Sequence, residues 1–443
     1  MFRSICILLH TILGLSWILD KASSNPQHFC KLQTYKTTIS LAVFTCLNMC
    51  LSAVLLVFVV VITIICIRYY QNKHEFKPCL YYKKSRISVV IKKGCKRLNE
   101  DYKPTFWARN GHLQTLLPWV WPCWQEELEF RREYLQMADK GVIALDWMEV
   151  DETAMKKVSP VMLLIPDLTG AAANMAAVCT EVLARNFRPV VFNRRGHCST
   201  ALSTYRLQSF GDARDLEEAI QFIHHMYPYS EIFAIGFSTG SGLLMSYLGE
   251  VGNASQLNAA VCISPCYDAE GLFKSNNVPE PYNWLWTFKL KCVLRQHPCL
   301  GNVINYNLAL QSSSIKELDE RVYVKLNQYN SLAEYWKYND PMRSITNIHI
   351  PVLCISALDD PICTKDTIPF SLFKTSSNLF LVTTEKGGHC GFLENGLPTS
   401  WANKLACDYL ETVYHQGIPK QPEENHIHFF PEFNGTRNRS YTT

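Results

Sequence analysis

A five-residue segment, Gly236-Phe237-Ser238-Thr239-Gly240, limits the fold of this chain more than any other feature of its sequence. It follows the apolar run 232–235 and precedes the helix-like stretch 241–248. A turn that lifts a serine out of the backbone between a strand and a helix crowds its flanking positions, so both outer places require small residues. Glycine occupies both places here. The segment therefore predicts a strand, a sharp turn that carries Ser238, and a helix.

Two segments downstream of Ser238 supply the histidine and the carboxylate that a reactive serine requires. Asp360 follows the apolar strand 351–356, and His389 lies in a glycine-rich loop after the strand 379–383. Asp-Asp-Pro also begins many helices, and Gly-Gly-His occurs in ordinary turns. The chain order of serine, acid and histidine nevertheless favours a triad of Ser238, Asp360 and His389. Asp359 is the alternative acid.

Such a site also needs two backbone N–H groups that hold the oxyanion of the tetrahedral intermediate. The sequence predicts one from Thr239 and one from Leu168, in the loop after the strand 161–165. Asp167 stands where a glycine is usual in this loop, and its carboxylate would oppose the developing negative charge. It is harmless only if it points away or pairs with a cation such as Arg194 or Arg195.

The chain beyond residue 103 alternates apolar strands with helix-like segments. A hairpin at 127–135 and 142–147 comes first, and strands at 161–165, 189–192, 232–235 and 259–263 follow, with the best helix at 212–227. This alternation predicts an α/β fold, with a mostly parallel sheet and helices on both faces. We divide the chain into a leader and membrane segment (1–70), a basic linker (71–102), an α/β domain (103–418) and a polar tail (419–443).

The alternation of strands and helices stops between about 266 and 347, where the sequence is rich in tyrosine and tryptophan. We expect this insertion to lie between the sixth and seventh strands. It would then form a lid over Ser238, whose apolar lining would favour acyl chains. Ordinary helix packing against the sheet explains the aromatic residues equally well.

The N-terminal region is strongly apolar. The uncharged run 39–67 exceeds the ~20 residues that a bilayer core requires, which predicts a single-pass membrane helix. Lysine and arginine are denser after this run than before it, which favours a cytosolic domain on an endoplasmic reticulum protein. A shorter run at 5–19, before Ala22-Ser23-Ser24, resembles a signal peptide, so a secreted protein is the alternative.

Composition excludes several classes of function. The net charge is only +4, and no basic block with interleaved aromatic residues indicates nucleic-acid binding. The 18 cysteines lie scattered through apolar segments rather than in a disulfide framework. Because the spacing of a structural zinc site is also missing, we expect free thiols, no metal and no cofactor.

Several segments carry a family resemblance. They are Ala108-Arg109-Asn110-Gly111-His112-Leu113-Gln114-Thr115-Leu116, Phe192-Asn193-Arg194-Arg195-Gly196-His197, Cys262-Ile263-Ser264-Pro265 and Gly387-Gly388-His389-Cys390-Gly391-Phe392-Leu393. Together with the triad segments, they resemble the membrane-anchored α/β-hydrolase domain-containing lipases from about residue 103 onward. The resemblance implies an α/β-hydrolase fold and a role in lipid metabolism, with acylglycerols or phospholipids as substrates.

Two functions remain open from the sequence. In the first, the chain is a serine hydrolase that cleaves carboxylic esters of lipids through Ser238, Asp360 and His389. In the second, it is a membrane-tethered, weakly active or inactive scaffold that regulates lipid breakdown through a protein partner. The complete triad favours the hydrolase, and Asp167 favours the scaffold.

Overall fold

The computed structural model describes residues 41, 44, 45, 48, 49, 51–66, 76–120, 128–150, 155, 158–394 and 399–417. The chain divides into two compact units, Met1–His74 and Glu75–Thr443. In the first unit the described residues are helical, and 51–66 is their longest continuous stretch.

The prediction of a single-pass membrane protein in the endoplasmic reticulum is wrong. Among the described residues, no helix has both the length and the apolar character that a membrane crossing requires. A crossing takes about 20 apolar residues, and the apolar run 39–67 is described as continuous helix only over 51–66. The predicted leader at 5–19, on which the secreted alternative depends, and the predicted tail at 419–443 lie outside the described residues.

A single sheet forms the centre of the second unit, with nine strands in the part of the chain that the structure describes. The strands are β1 Cys79–Tyr81, β2 Phe130–Gln136, β3 Val142–Met148, β4 Val161–Ile165, β5 Arg188–Asn193, β6 Ile232–Phe237, β7 Leu257–Ile263, β8 Val352–Ala357 and β9 Leu379–Thr384. Their spatial order is β1-β9-β8-β7-β6-β4-β5-β3-β2. Strands β4 to β9 run parallel, whereas β1, β2 and β3 pair antiparallel with their neighbours.

Twelve α-helices accompany the sheet in the described residues of this unit. They are α1 Arg86–Gly94, α2 Gly111–Val120, α3 Ala176–Leu183, α4 Arg214–Met226, α5 Thr239–Val251, α6 Tyr282–Arg295, α7 Tyr306–Leu310, α8 Ile315–Leu318, α9 Val324–Leu326, α10 Leu332–Asn339, α11 Phe370–Thr375 and α12 Trp401–Gln416. Side chains of α4, α5 and α11 pack with one face of the sheet, and those of α1, α3 and α12 pack with the other. The predicted α/β class, with helices on both faces, is confirmed.

Helix α4 shows how the sequence specifies these elements. Its apolar residues Leu216, Ala219, Ile220 and Ile223 follow helical spacing, and all four are buried. Acidic residues occupy its first turn and histidines its last, which suits the partial charges of a helix. Residues 212–227 were expected to be helical, and the observed helix differs from that range by one or two residues at each end.

Part of the stretch assigned to a basic linker is folded against the sheet. Strand β1 pairs with β9, and Arg97 forms a salt bridge of 2.8 Å with Asp408 of α12. Ser85 begins α1 with a capping box that it shares with Ser88. Beyond these contacts, the proposed division of the chain into domains stays a prediction.

The segment between β7 and β8 forms the predicted insertion. Because β1 adds a strand before the hairpin, the insertion lies between the seventh and eighth strands of the structure rather than the sixth and seventh. It contains α6 to α10 and has its own buried cluster, to which Phe273, Trp286 and Trp336 belong. Phe210 and Ile362, from outside the insertion, join this cluster. The insertion therefore packs onto the loops that follow the strands, and its action as a lid stays a prediction.

Candidate active site

Ser238 occupies the turn between β6 and α5. Its backbone φ is +52° and ψ is −116°, a conformation that costs a non-glycine residue about 1–3 kcal/mol. The glycines on either side make this turn possible. A Cβ on Gly240 would lie 2.1 Å from the Ile165 carbonyl oxygen, and one on Gly236 would lie 2.7 Å from the Ser241 Cα. Only glycine allows β6, β4 and α5 to approach so closely here.

His389 contacts both other residues of the predicted triad. Its Nε2 lies 2.7 Å from Ser238 Oγ, and its Nδ1 lies 2.8 Å from Asp360 Oδ2. All three side chains are buried. The backbone N–H of His389 donates to Thr115 Oγ1 at 2.9 Å, which fixes the loop that carries the imidazole. The three side chains meet because β6, β8 and β9 run parallel and end at the same edge of the sheet.

The structure distinguishes the two candidate acids. Asp360 Oδ1 accepts hydrogen bonds from the backbone N–H groups of Ile362 and Cys363, at 2.8 and 2.9 Å, which leaves Oδ2 for His389. Asp359 instead accepts from the backbone N–H of Gly388 at 3.0 Å. Burial raises the pKa of Asp359. The carboxylate that contacts His389 is therefore that of Asp360.

These contacts fit the His389 tautomer that carries its proton on Nδ1. With Nδ1–H donating to Asp360, the lone pair on Nε2 of His389 accepts the hydroxyl proton of Ser238. A carboxylate in this position can also stabilise the imidazolium formed by such a transfer. The arrangement matches the one that a serine nucleophile requires, and the catalytic roles of the three residues stay a prediction.

The carboxylate of Asp167 is turned into its own loop. Its Oδ1 accepts the backbone N–H of Thr169 at 3.0 Å and lies over Gly170, where an added Cβ would approach it to 2.9 Å. This is an Asx turn, which uses the carboxylate to order the backbone. The carboxylate of Asp167 therefore accepts a hydrogen bond from the backbone of its own loop.

Neither candidate cation forms an ion pair with Asp167 in the described residues. Arg195 is held by Asp139 and Asp215, at 2.6 Å each. Arg194 donates from Nη2 to the Thr239 carbonyl at 3.0 Å, and its Nε and Nη1 have no hydrogen-bond partner in the described part of the chain. Burial lowers the pKa of Arg194 to about 10, so it stays charged at neutral pH. Its positive charge lies beside the turn that carries Ser238.

The two N–H groups expected to hold an oxyanion belong to different elements. Thr239 is the first residue of α5, and the first N–H groups of a helix have no acceptor within it. Leu168 lies in the loop after β4 and packs against the cluster of the insertion. Because Gly240 has no Cβ, the start of α5 lies close to the end of β4, which leads into the loop of Leu168. The role of both N–H groups stays a prediction.

Comparisons with known proteins agree with this fold. A family model described as serine aminopeptidase, S33, matches residues 156–395. Protein ABHD15 of Homo sapiens is 35% identical over 68% of this chain and 66% of its own length. Phospholipase ABHD3 of Mus musculus is 30% identical over 81% of this chain and 88% of its own length. Monoacylglycerol lipase ABHD2 of Mus musculus is 26% identical over 76% and 85%, respectively.

The chain belongs to the α/β-hydrolase domain-containing lipase family. The resemblance drawn from its sequence and the predicted α/β-hydrolase fold are both confirmed.

The insertion of this hydrolase contacts the site directly. The ring of Trp286, on α6, meets the His389 imidazole edge-on, with 6.2 Å between ring centroids. Tyr282, one turn earlier, places its hydroxyl 2.8 Å from Nδ1 of His112 on α2. Aromatic side chains of α6 therefore contact both the imidazole and α2.

Sequence reasoning missed the supporting role of α2. Thr115 accepts the backbone N–H of His389, and Gln114 Oε1 accepts that of Leu393 at 2.7 Å. Both residues belong to a segment that carries the family resemblance, but no local pattern connects them with a loop more than 270 residues away. The family resemblance was the only available signal. It selected this segment but did not assign a role to any residue in it.

Proposed function

We propose that this hydrolase cleaves carboxylic esters of lipids, with Ser238 as the nucleophile, His389 as the general base and acid, and Asp360 as the residue that orients His389. The observation that carries this proposal is the continuous chain of contacts from Ser238 Oγ through His389 to Asp360. Carboxylic ester hydrolysis is also the reaction class of the family, whose members include a phospholipase and a monoacylglycerol lipase.

The reaction proceeds in two halves. Ser238 Oγ attacks the ester carbonyl as His389 Nε2 takes its proton, and the N–H groups of Thr239 and Leu168 hold the oxyanion. His389 then gives the proton to the departing alcohol, which leaves an acyl group on Ser238. Water attacks the acyl group while His389 takes one of its protons, and the return of that proton to Ser238 releases the fatty acid.

Two features support a lipid substrate. The insertion places the Trp286 ring against the imidazole, and Leu116 and Leu168 pack against the insertion's buried cluster. An apolar lining favours acyl chains over polar substrates. The relatives named as a phospholipase and as a monoacylglycerol lipase support acylglycerols or phospholipids as the substrate class.

Labelling with a fluorophosphonate probe tests the nucleophile. Because such a probe reacts with an activated serine, the wild-type chain should be labelled and Ser238→Ala should not. Ser371→Ala is the matched control, since Ser371 lies exposed on α11. Circular dichroism establishes that all three proteins are folded.

The same proteins should then be assayed on a monoacylglycerol and a phosphatidylcholine with the same acyl chain. Turnover that is lost only in Ser238→Ala supports the proposal. Turnover retained by Ser238→Ala contradicts it. A folded wild-type chain that is neither labelled nor active would favour the alternative, a scaffold that acts through a protein partner.

A further inference from the structure

Three side chains beside the site have the chemistry of metal ligands. Asp360, Cys363 and His389 are all buried, and their ligand atoms lie within 4.8 Å of one another. The turn after β8 carries Asp360 and Cys363, and the loop after β9 carries His389. Because the backbone N–H of Cys363 donates to Asp360 Oδ1, the turn that fixes the carboxylate also brings the cysteine to the triad.

The described cysteines are free thiols, so the Cys363 sulfur is available as a ligand. The donor set of this group is therefore one sulfur atom, one imidazole nitrogen and one carboxylate oxygen.

This donor set suits zinc in particular. Zinc binds sulfur at about 2.3 Å and imidazole nitrogen or carboxylate oxygen at about 2.0–2.2 Å in a tetrahedral arrangement, so its ligand atoms lie roughly 3.3–3.8 Å apart. The pair His389 Nδ1 and Asp360 Oδ2, now 2.8 Å apart, would separate by about half an ångström to meet that spacing. Magnesium and calcium prefer sites made of oxygen atoms alone.

We propose that Asp360, Cys363 and His389 form an inhibitory zinc site, with a water molecule as the fourth ligand. Zinc binds the Nδ1 lone pair of the tautomer that carries its proton on Nε2, and the proton of the Cys363 thiol passes to the solvent. Nothing is oxidised or reduced. With zinc on Nδ1 and a proton on Nε2, the imidazole has no lone pair left to accept the proton of Ser238, so Ser238 loses its base.

Direct binding tests the site without reference to activity. Competition with a chromophoric chelator, under a thiol-free reductant, should show one zinc ion bound by the full chain and no Mg²⁺ binding. Cys363→Ser removes one of the three protein ligands and should weaken zinc binding by about 100-fold or more. Cys390→Ser is the matched control, because this neighbour of His389 lies outside the three-residue group. Equal zinc affinity in wild type and Cys363→Ser, or no zinc binding by wild type, would overturn the proposal.

The inhibitory effect rests on the proposed function and is measured separately. Zinc should suppress fluorophosphonate labelling of wild type and Cys390→Ser, and EDTA should restore it. In Cys363→Ser, labelling should be the same with and without zinc. If metal-free wild type is not labelled while its zinc binding still depends on Cys363, the proposed function fails and the zinc site stands. If labelling is normal but insensitive to bound zinc, the inhibitory role fails.

Discussion

Replacing Gly240 with alanine should destabilise the fold and inactivate the site together. An added Cβ would lie 2.1 Å from the Ile165 carbonyl oxygen and 2.4 Å from that of Pro166. Ordinary contacts of this kind begin at about 3.4 Å, so α5 must move from the end of β4 by more than 1 Å. A rigid backbone overlap of this size should cost about 3 kcal/mol or more of the free energy of unfolding.

The same movement would change the site. Ile165 and Pro166 lead into the loop that carries Leu168, and Gly240 follows Thr239. Moving α5 away from β4 therefore separates the two N–H groups proposed to hold the oxyanion. We expect labelling of Ser238 by a fluorophosphonate to fall in Gly240→Ala even under conditions in which the protein is folded.

Urea unfolding followed by tryptophan fluorescence measures the stability change. Gly301→Ala is the control, because its nearest contact would be 3.5 Å, from the Cβ of Tyr306. In an open helical position, alanine is more favourable than glycine by up to about 1 kcal/mol. Any loss in Gly240→Ala therefore comes from the overlap. A Gly240→Ala protein that matches Gly301→Ala in stability and is fully labelled would refute the reasoning.

Two further predictions concern the acid and a buried histidine. Asp360→Asn should lower ester turnover by about 10⁴-fold, because the imidazole loses the partner that holds its tautomer. Asp359→Asn should have a smaller effect, because Asp359 contacts Gly388. Burial lowers the pKa of His197 to about 4. Between pH 6.5 and pH 4 the unfolded chain therefore binds a proton that the folded chain does not, and stability falls as the pH falls. From pH 7 to pH 5 this should remove about 2 kcal/mol from the free energy of unfolding.

These predictions have separate controls. Ester turnover compared between the two asparagine variants tests the choice of acid, and equal losses would contradict it. For the histidine, urea unfolding at pH 7 and pH 5 is compared between wild type and His197→Gln. The variant should lose about 2 kcal/mol less than wild type over this range. The same pH dependence in both proteins would show that His197 does not carry the effect.

The sequence was most informative where structure is determined locally. The turn at Ser238 depends on the two glycines beside it and on the flanking strand and helix, all within residues 232–251. Asp360 and His389 could be selected because each follows a strand, and parallel strands end at one edge of a sheet. In a pattern of this kind, the place of a residue relative to a strand is informative as well as its type.

Contacts between distant segments could not be read in this way. Thr115 and Gln114 support the His389 loop from the other end of the domain, and Cys363 was counted only as one of many scattered thiols. The orientation of the Asp167 carboxylate depends on a backbone turn that residue type alone does not specify. For the run 39–67, hydropathy alone predicted a membrane helix that the described residues do not contain.

The pairing of β1 with β9 has a practical consequence for work with shortened chains. Residues 379–384 of β9 are all buried, and β1 covers their outer edge. A chain that began at residue 103, where the sequence first looks like a folded domain, would present that apolar strand with its hydrogen-bonding groups unpaired. Open edges of this kind recruit strands from other molecules and cause aggregation. Since Phe76 also bridges to Tyr102, a soluble fragment of the second unit should begin before Phe76.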